Sequence, residues 1–306
     1  MCMNKNQAWS LYWQNNILES CIATGAIEDG AKLASIWNQF AQQLTTKSTV
    51  LDLATGNGSV PINLLTSQQN LQVTGVDFAD ISPKKFSLNN TLLTNVDFVP
   101  KVDIADLPFK EHSFDVVTSQ FGFEYADNTL AAQEFIRVLK TSGKFLLIIH
   151  HTDSEVVKPA RVKIEELTLL CEKSELFNQF ECYLKDEFSL VDLEQSGKQF
   201  LAQNQGKVSK AISGQFFSNI NSLIDLKEQL TPNTELLVLF TDMQTRIEAE
   251  RSRLTQLVSA SLSVNEMADF CDMLKKLGAE LDCQLVTLPS DGAILAWQVS
   301  GVKHEL

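Results

Sequence analysis

V-L-D-L-A-T-G-N-G-S-V-P, residues 50 to 61, is the stretch on which the reading of this chain turns. A short apolar run ends in Asp52. Small residues follow, with Ala54, Gly56 and Gly58 at alternate positions, and a helical pattern begins at Val60. Glycines at a strand-to-helix turn let the backbone approach a ligand closely, because no Cβ intervenes. That geometry suits a nucleoside cofactor. A dinucleotide-binding turn reads G-x-G-x-x-G, and here Pro61 stands where the third glycine belongs.

Working outward, the chain alternates between strand and helix signals. Val50–Leu53 reads as a strand, 60–67 as a helix, 71–77 as a strand ending in Asp77, and the stretch after Ser82-Pro83 as a helix with proline near its first turn. Strands at 97–102 and 113–118 follow. A helix over 129–139 is expected to stop at Thr141-Ser142-Gly143, ahead of a strand over 144–150. Solid apolar strands separated by helices imply a parallel sheet covered on both faces. From about Ser154 to Ala260 the pattern is helical and polar, with a break at Thr231-Pro232-Asn233. A helix then opens on a Ser263/Glu266 capping box and closes at Gly278. Two strands, 281–288 and 293–299, joined by Pro289-Ser290-Asp291-Gly292, close the chain as an antiparallel hairpin.

Before the turn, residues 7 to 45 read as helical. Trp9, Tyr12 and Trp13 form an aromatic cluster, and Leu33, Ile36, Trp37 and Phe40 recur at helical spacing. These residues either pack on the core or form a flap over a ligand. The expected division is an N-terminal helical segment (1–45), a sheet domain made of 46–153 and 263–306, and a helical insertion over 154–262.

Composition narrows the function. The 306 residues carry a formal net charge of -13 and are 44% hydrophobic, as a soluble globular protein would be. The acidic balance speaks against a nucleic-acid partner. No apolar run reaches the roughly 18 residues of a membrane helix. The polar start has no signal-peptide core, so the final K-H-E-L reads as a chance likeness to a retention signal, and a cytoplasmic location is expected. Six scattered cysteines without a C-x-x-C pair read as reduced thiols, and four histidines without ligand spacing give no metal site.

Five motifs in order resemble the class I S-adenosylmethionine-dependent methyltransferases. They are the D-L-A-T-G-N-G turn, Asp77 in T-G-V-D-F, Asp103 in V-D-I-A-D-L-P-F, the stretch F-D-V-V-T-S-Q-F-G-F-E-Y, and R-V-L-K-T-S-G-K-F-L-L-I from Arg137 to Ile148. The resemblance covers residues 46–150 well and 263–300 in outline. It implies a Rossmann-like, seven-stranded, mostly parallel α/β sheet with an antiparallel last strand and a helical cap insertion. S-adenosylmethionine would be the methyl donor and S-adenosylhomocysteine the product. By resemblance, Gly56 and Gly58, with Ala54, would receive the methionine part and Asp52 would face its ammonium. Asp77 would bind the ribose diol and Phe78 would pack on adenine. Asp103 and the Ile104 amide would read the adenine edge, with Asp106 a competitor for that role, and Gln120 would stand beside the transferable methyl. The alternative for Asp103 is a helix or turn cap.

Methyl transfer is an in-line displacement in which positioning carries most of the burden, and a base is needed only if the acceptor must lose a proton. His150 and His151, at the carboxyl end of the fifth strand, and Tyr125, past the fourth, are the catalytic candidates. Glu124 has similar standing and Asp153 weaker. The expected partner is a small-molecule acceptor, neither nucleic acid nor membrane. The asparagine-proline-proline-tyrosine motif of nucleic-acid-modifying relatives is absent. The long helical insertion would act as a lid over the acceptor or as a dimerisation arm. Phe177, Phe180, Tyr183, Phe188, Phe216 and Phe217 are its candidate pocket residues. Protein or RNA methylation, and cofactor binding without transfer, are the competing readings.

Overall fold

The computed structural model describes residues 5–15, 27–86, 90–229, 232–288 and 290–305. Two helices, α1 (Lys5–Asn15) and α2 (Ile27–Gln42), precede strand β1 (Thr49–Leu53). Part of the expected helical stretch over 7–45 falls outside the described residues. After β1 come α3 (Ser59–Ser67), β2 (Gln72–Asp77), the single turn α4 (Pro83–Phe86) and β3 (Val96–Pro100). Then follow β4 (Phe114–Gln120), α5 (Asn128–Val138) and β5 (Leu139–Ile149). The helical stretch consists of α6 (Val157–Cys171), α7 (Leu176–Leu184), α8 (Leu190–Gln203), α9 (Gln215–Glu228) and α10 (Asn233–Ala260). Helix α11 (Val264–Lys276) and strands β6 (Ala279–Thr287) and β7 (Ile294–Lys303) end the chain.

The seven strands form one sheet in the order β3-β2-β1-β4-β5-β7-β6. β7 pairs antiparallel with both β5 and β6, and the other pairs are parallel. Apolar residues at every second position of β1 and β5 (Leu51, Leu53, Phe145, Leu147, Ile149) turn to one face of this sheet. There they meet Ala131, Phe135 and Ile136 of α5 and Met267, Phe270 and Leu274 of α11, all buried in a common core. Period two on the strands and period three to four on the helices is what such a layer needs. The capping box is present at the start of α11: the Ser263 hydroxyl accepts from the Glu266 amide, and the Glu266 carboxylate accepts from the Ser263 amide. Gly278 follows α11 at φ 88°, a left-handed conformation suited to glycine.

One junction differs from the sequence reading. Thr141-Ser142-Gly143 does not stop α5, which ends at Val138 with β5 beginning at the next residue. The turn residues form an irregularity inside β5, where pairing with β4 jumps from Leu139 opposite Phe114 to Lys144 opposite Val116. Ser142 takes φ 60° there. The helix end is held from elsewhere: Lys303 Nζ, on β7, donates to the carbonyls of Ile136 and Leu139 at 2.7 and 2.8 Å. A cation at a helix C-terminus also complements its dipole.

The chain divides into two compact units, one made of residues 9–158 and 256–306, which holds the sheet, and one made mainly of 159–255. The helical unit has its own core, in which Phe180, Tyr183, Phe216 and Phe240 are buried and Phe177, Phe188 and Phe217 pack against them. The six aromatics proposed as pocket residues therefore belong to this core. Phe180, Phe216 and Phe217 also border a pocket of about 260 Å³ within the unit. Phe180 is fully buried, with its ring 4.9 Å from that of Phe240. Phe180→Ala is expected to cost about 3–5 kcal/mol, read as a lower urea midpoint.

Candidate functional site

Strand β1 delivers Asp52 and the glycine turn to the carboxyl edge of the sheet, between β2 and β4. Asp52 pairs in register with Gly75 on one side and Thr118 on the other. Its side chain is buried, and the Thr118 hydroxyl donates to it at 2.8 Å. Beyond it Ala54, Gly56 and Gly58 all have positive φ, at 53°, 52° and 89°. Glycine tolerates such a backbone best, and the Thr55 and Gly58 amides donate within the protein, to the carbonyls of Val76 and Thr55. Gly58 is also the residue immediately before α3.

Asp77 closes β2 against this turn. One carboxylate oxygen accepts from the Gly56 amide and the other from the Ala79 amide, both at 2.8 Å. The acid at the end of the second strand thus ties the glycine turn to the loop after β2, a role the sequence reading did not assign to it. Burial pushes Asp52 up to about 7 and Asp77 up to about 6, in each case against the hydrogen bonds that favour the charged form. Phe78, next along, is 42% exposed.

Asp103 lies exposed after β3, and its carboxylate accepts from the Ala105 amide at 2.9 Å, the bond of a turn cap. Ile104 beside it is buried and Asp106 is exposed. Gln120, the last residue of β4, accepts a hydrogen bond from the indole of Trp37 on α2. Past it the backbone makes a close pass. A Cβ on Gly122 would lie 2.3 Å from that of Ala54, so the loop after β4 rests directly on the glycine turn.

The acceptor-side candidates gather at the ends of β4 and β5. His150 is fully buried and stacks on Phe121, with centroids 4.2 Å apart and planes 8° from parallel. Tyr125 meets the His150 ring edge-on at 6.1 Å. Buried Glu124 accepts from the His150 amide at 2.8 Å, and desolvation pushes its carboxyl up to about 7. His151 stands apart from this group, tilted against Trp297 at 4.8 Å. Its Nδ1 accepts from the Asp153 amide, which leaves the proton of the neutral ring on Nε2, and burial lowers its pKa. Among the described residues no group of His, Cys, Asp and Glu could hold a metal ion. No helix there is long and apolar enough to cross a membrane.

Sequence reasoning did not place four residues that the fold brings here: Trp13, whose ring lies on Gly56; Asn57, which donates to the Trp13 carbonyl; Trp37; and Gly122. Trp13 and Trp37 were visible only as members of aromatic or apolar patterns. Gly122 carried a faint signal, a glycine just past an apolar strand.

Residues 50–143 match the family model described as "Methyltransferase domain". Over 100 residues the chain is 36% identical to the demethylmenaquinone methyltransferase of Thermotoga maritima, covering 32% of this chain and 42% of that protein. Over 185 residues it is 25% identical to the ubiquinone/menaquinone biosynthesis C-methyltransferase UbiE of Geotalea daltonii, covering 57% and 74%. The chain thus spans less than half the length of the Thermotoga relative. Among solved structures, the chain that forms a complex with the Trm112 methyltransferase activator of Haloferax volcanii superposes with a TM-score of 0.50 at 13% identity, covering 100% of each chain, and shares the fold. The glycine turn, Asp52 and Asp77 all lie within the segment that matches the methyltransferase domain model, and it is over that segment that the chain is similar to these methyltransferases.

Proposed function

We propose that this protein transfers a methyl group from S-adenosylmethionine to a small-molecule acceptor. The observation that carries this reading is the glycine turn itself: three alternate residues at positive φ, with buried Asp52 near the end of β1 and buried Asp77 closing β2 beside it. When bound, the cofactor supplies an activated methyl group on a positively charged sulfur, with a cationic amino group close by. The residues here fit such a ligand, since the turn carries no side chain at Gly56 or Gly58 and two carboxylates stand near it. Asp52 would face the amino group. Asp77, already oriented by the amides of Gly56 and Ala79, would accept from the ribose hydroxyls. Asp103 and the Ile104 amide would serve the adenine edge, with Phe78 on its face. On the acceptor side, His150, His151, Tyr125 and Glu124 are the groups that could orient the nucleophile or take its proton. A carboxyl pushed up to about 7, as in Glu124, is suited to proton transfer near neutrality.

The methyl acceptor is proposed as a quinol. Support comes from the names of the relatives, which include a demethylmenaquinone methyltransferase and a quinone-pathway C-methyltransferase.

Calorimetry with S-adenosylmethionine and S-adenosylhomocysteine tests the cofactor reading, and pH makes the test specific. In the free protein Asp52 and Asp77 are protonated over a wider range than ordinary carboxyls. A cationic ligand favours their charged forms, so binding should release protons. Affinity should rise as pH goes from 5.5 to 7.5, by up to about tenfold per pH unit for each proton released. Over the same window the free protein should lose stability. A folded-state pKa above the unfolded value places the more stable, protonated form at low pH, and that advantage is gone once pH passes about 7. Repeating the titration in buffers of different ionisation enthalpy counts the protons. Folded protein that binds neither ligand would overturn the proposal. Methyl gain by a quinol, followed by mass spectrometry, tests the acceptor separately.

A further inference from the structure

Helix α1 stands on the spot that the cofactor reading reserves for the methionine part of the ligand. A Cβ built on Gly56 would lie 2.3 and 2.4 Å from Cζ2 and Cη2 of Trp13, so the indole is in direct contact with the bare face of the glycine. Trp13 is 8% exposed and packs with Ala79, Ile81 and Phe98, which follow β2 and line β3. A ligand lying against Gly56 and an indole lying against Gly56 exclude one another on volume alone.

The helix is tied down at separate points. The Asn57 side chain, inside the glycine turn, donates to the Trp13 carbonyl at 3.1 Å. The Asp80 amide, in the loop after β2, donates to the Ser10 hydroxyl at 3.0 Å. The Trp9 indole donates to Gln256 on α10 at 2.9 Å. Trp9 also meets Tyr125 edge-on, with centroids 5.1 Å apart. One short helix therefore touches the cofactor turn through Trp13 and an acceptor-side candidate through Trp9. Each polar tether is a single neutral hydrogen bond, the kind whose net worth is small because water replaces it when it opens. The aromatic contacts add to the hold.

We infer that α1 is an autoinhibitory plug: with Trp13 seated on Gly56 the cofactor site is closed, and S-adenosylmethionine enters only when α1 lifts away. This rests on the cofactor reading above and deepens it. Such a protein binds its cofactor with an apparent dissociation constant equal to the intrinsic one divided by the fraction of molecules with the helix raised. Because Trp9 sits on Tyr125, the same movement uncovers the acceptor edge, so cofactor entry and acceptor access are opened together.

Two measurements on S-adenosylhomocysteine binding test this. In hydrogen exchange on the unaltered protein, amides of residues 9–15 should exchange at least several-fold faster once the ligand is added. In calorimetry and stopped-flow fluorescence, Trp13→Ala should bind roughly tenfold more tightly and associate faster, since the raised state no longer competes with a seated indole. Greater protection of α1 on binding, or weaker binding by Trp13→Ala, would make α1 a wall of the site and overturn the plug. Equal affinity and rate in the two proteins would also overturn it while leaving the cofactor reading intact. Binding by neither folded protein would instead sink the cofactor reading.

Discussion

Asp77→Ala is expected to weaken S-adenosylmethionine binding by about 100-fold, the loss of charge-assisted bonds of roughly 1.5–3 kcal/mol. It should also lower stability by about 2–4 kcal/mol. The two effects have different origins. Stability falls because both Asp77 oxygens are occupied within the protein, by the amides of Gly56 and Ala79, and removing them leaves two buried donors without acceptors. Affinity falls because the same carboxylate is the proposed acceptor for the ribose hydroxyls. Asp77→Asn separates them. Its one carbonyl oxygen can keep one of the two amides, so the stability loss should shrink while most of the affinity loss remains. Calorimetry and urea unfolding measure the pair, and an Asp77→Asn protein that binds as tightly as the native one would remove Asp77 from the site.

Gly122→Val should be the most damaging single change at this edge, costing about 3 kcal/mol or more and abolishing measurable cofactor binding. Its φ of -148° is ordinary backbone that any residue adopts, so the effect is purely one of space. The Cβ that valine brings would lie 2.3 Å from that of Ala54, and neither partner has a flexible end that could swing aside. The glycine turn would have to move, and with it the surface that faces the ligand. A double-mutant cycle checks the cause. Ala54→Gly removes the opposing methyl and leaves the next atoms of residue 54, its carbonyl oxygen and Cα, at 3.4 and 3.6 Å. Gly122→Ala should therefore be strongly destabilising alone and largely rescued by Ala54→Gly. Additive losses would show that the contact is not the reason.

Much of the site was legible because its signals are local. The Asp52-to-Gly58 turn, Asp77 at the end of β2 and the capping box at Ser263 each depend on residues within a few positions of one another, so spacing alone exposes them. The junction after α5 shows where local signals mislead. Thr141-Ser142-Gly143 has the composition of a helix stop, yet the carbonyls at the end of α5 are satisfied by Lys303, a residue on a strand more than 160 positions later in the chain. Once that partner exists, the small residues are free to form an irregularity within β5.

Asp103 illustrates a different limit. The sequence presents it as an adenine contact, with a helix or turn cap as the alternative, and the structure contains the cap bond to the Ala105 amide. Such a bond occupies one lone pair of one oxygen and leaves the rest of an exposed carboxylate available, so composition alone could not separate the two roles. The aromatics of the helical stretch were ambiguous for a related reason. Phe180 and Phe216 recur at a spacing that suits a core or a pocket wall, and the fold uses them as both.

By itself the sequence determined the class of the sheet, the position of the glycine turn and the antiparallel close, because strand and helix periods, turn residues and caps act over a few residues. Only the tertiary structure decided what lies on that turn. That Trp13 seats its ring on Gly56, that Trp37 bonds Gln120 across 83 residues, and that Gly122 presses on Ala54 are contacts between segments far apart in the chain. They depend on how the whole sheet and its helices pack, and close packing has no short-range signature from which a single sequence can be read.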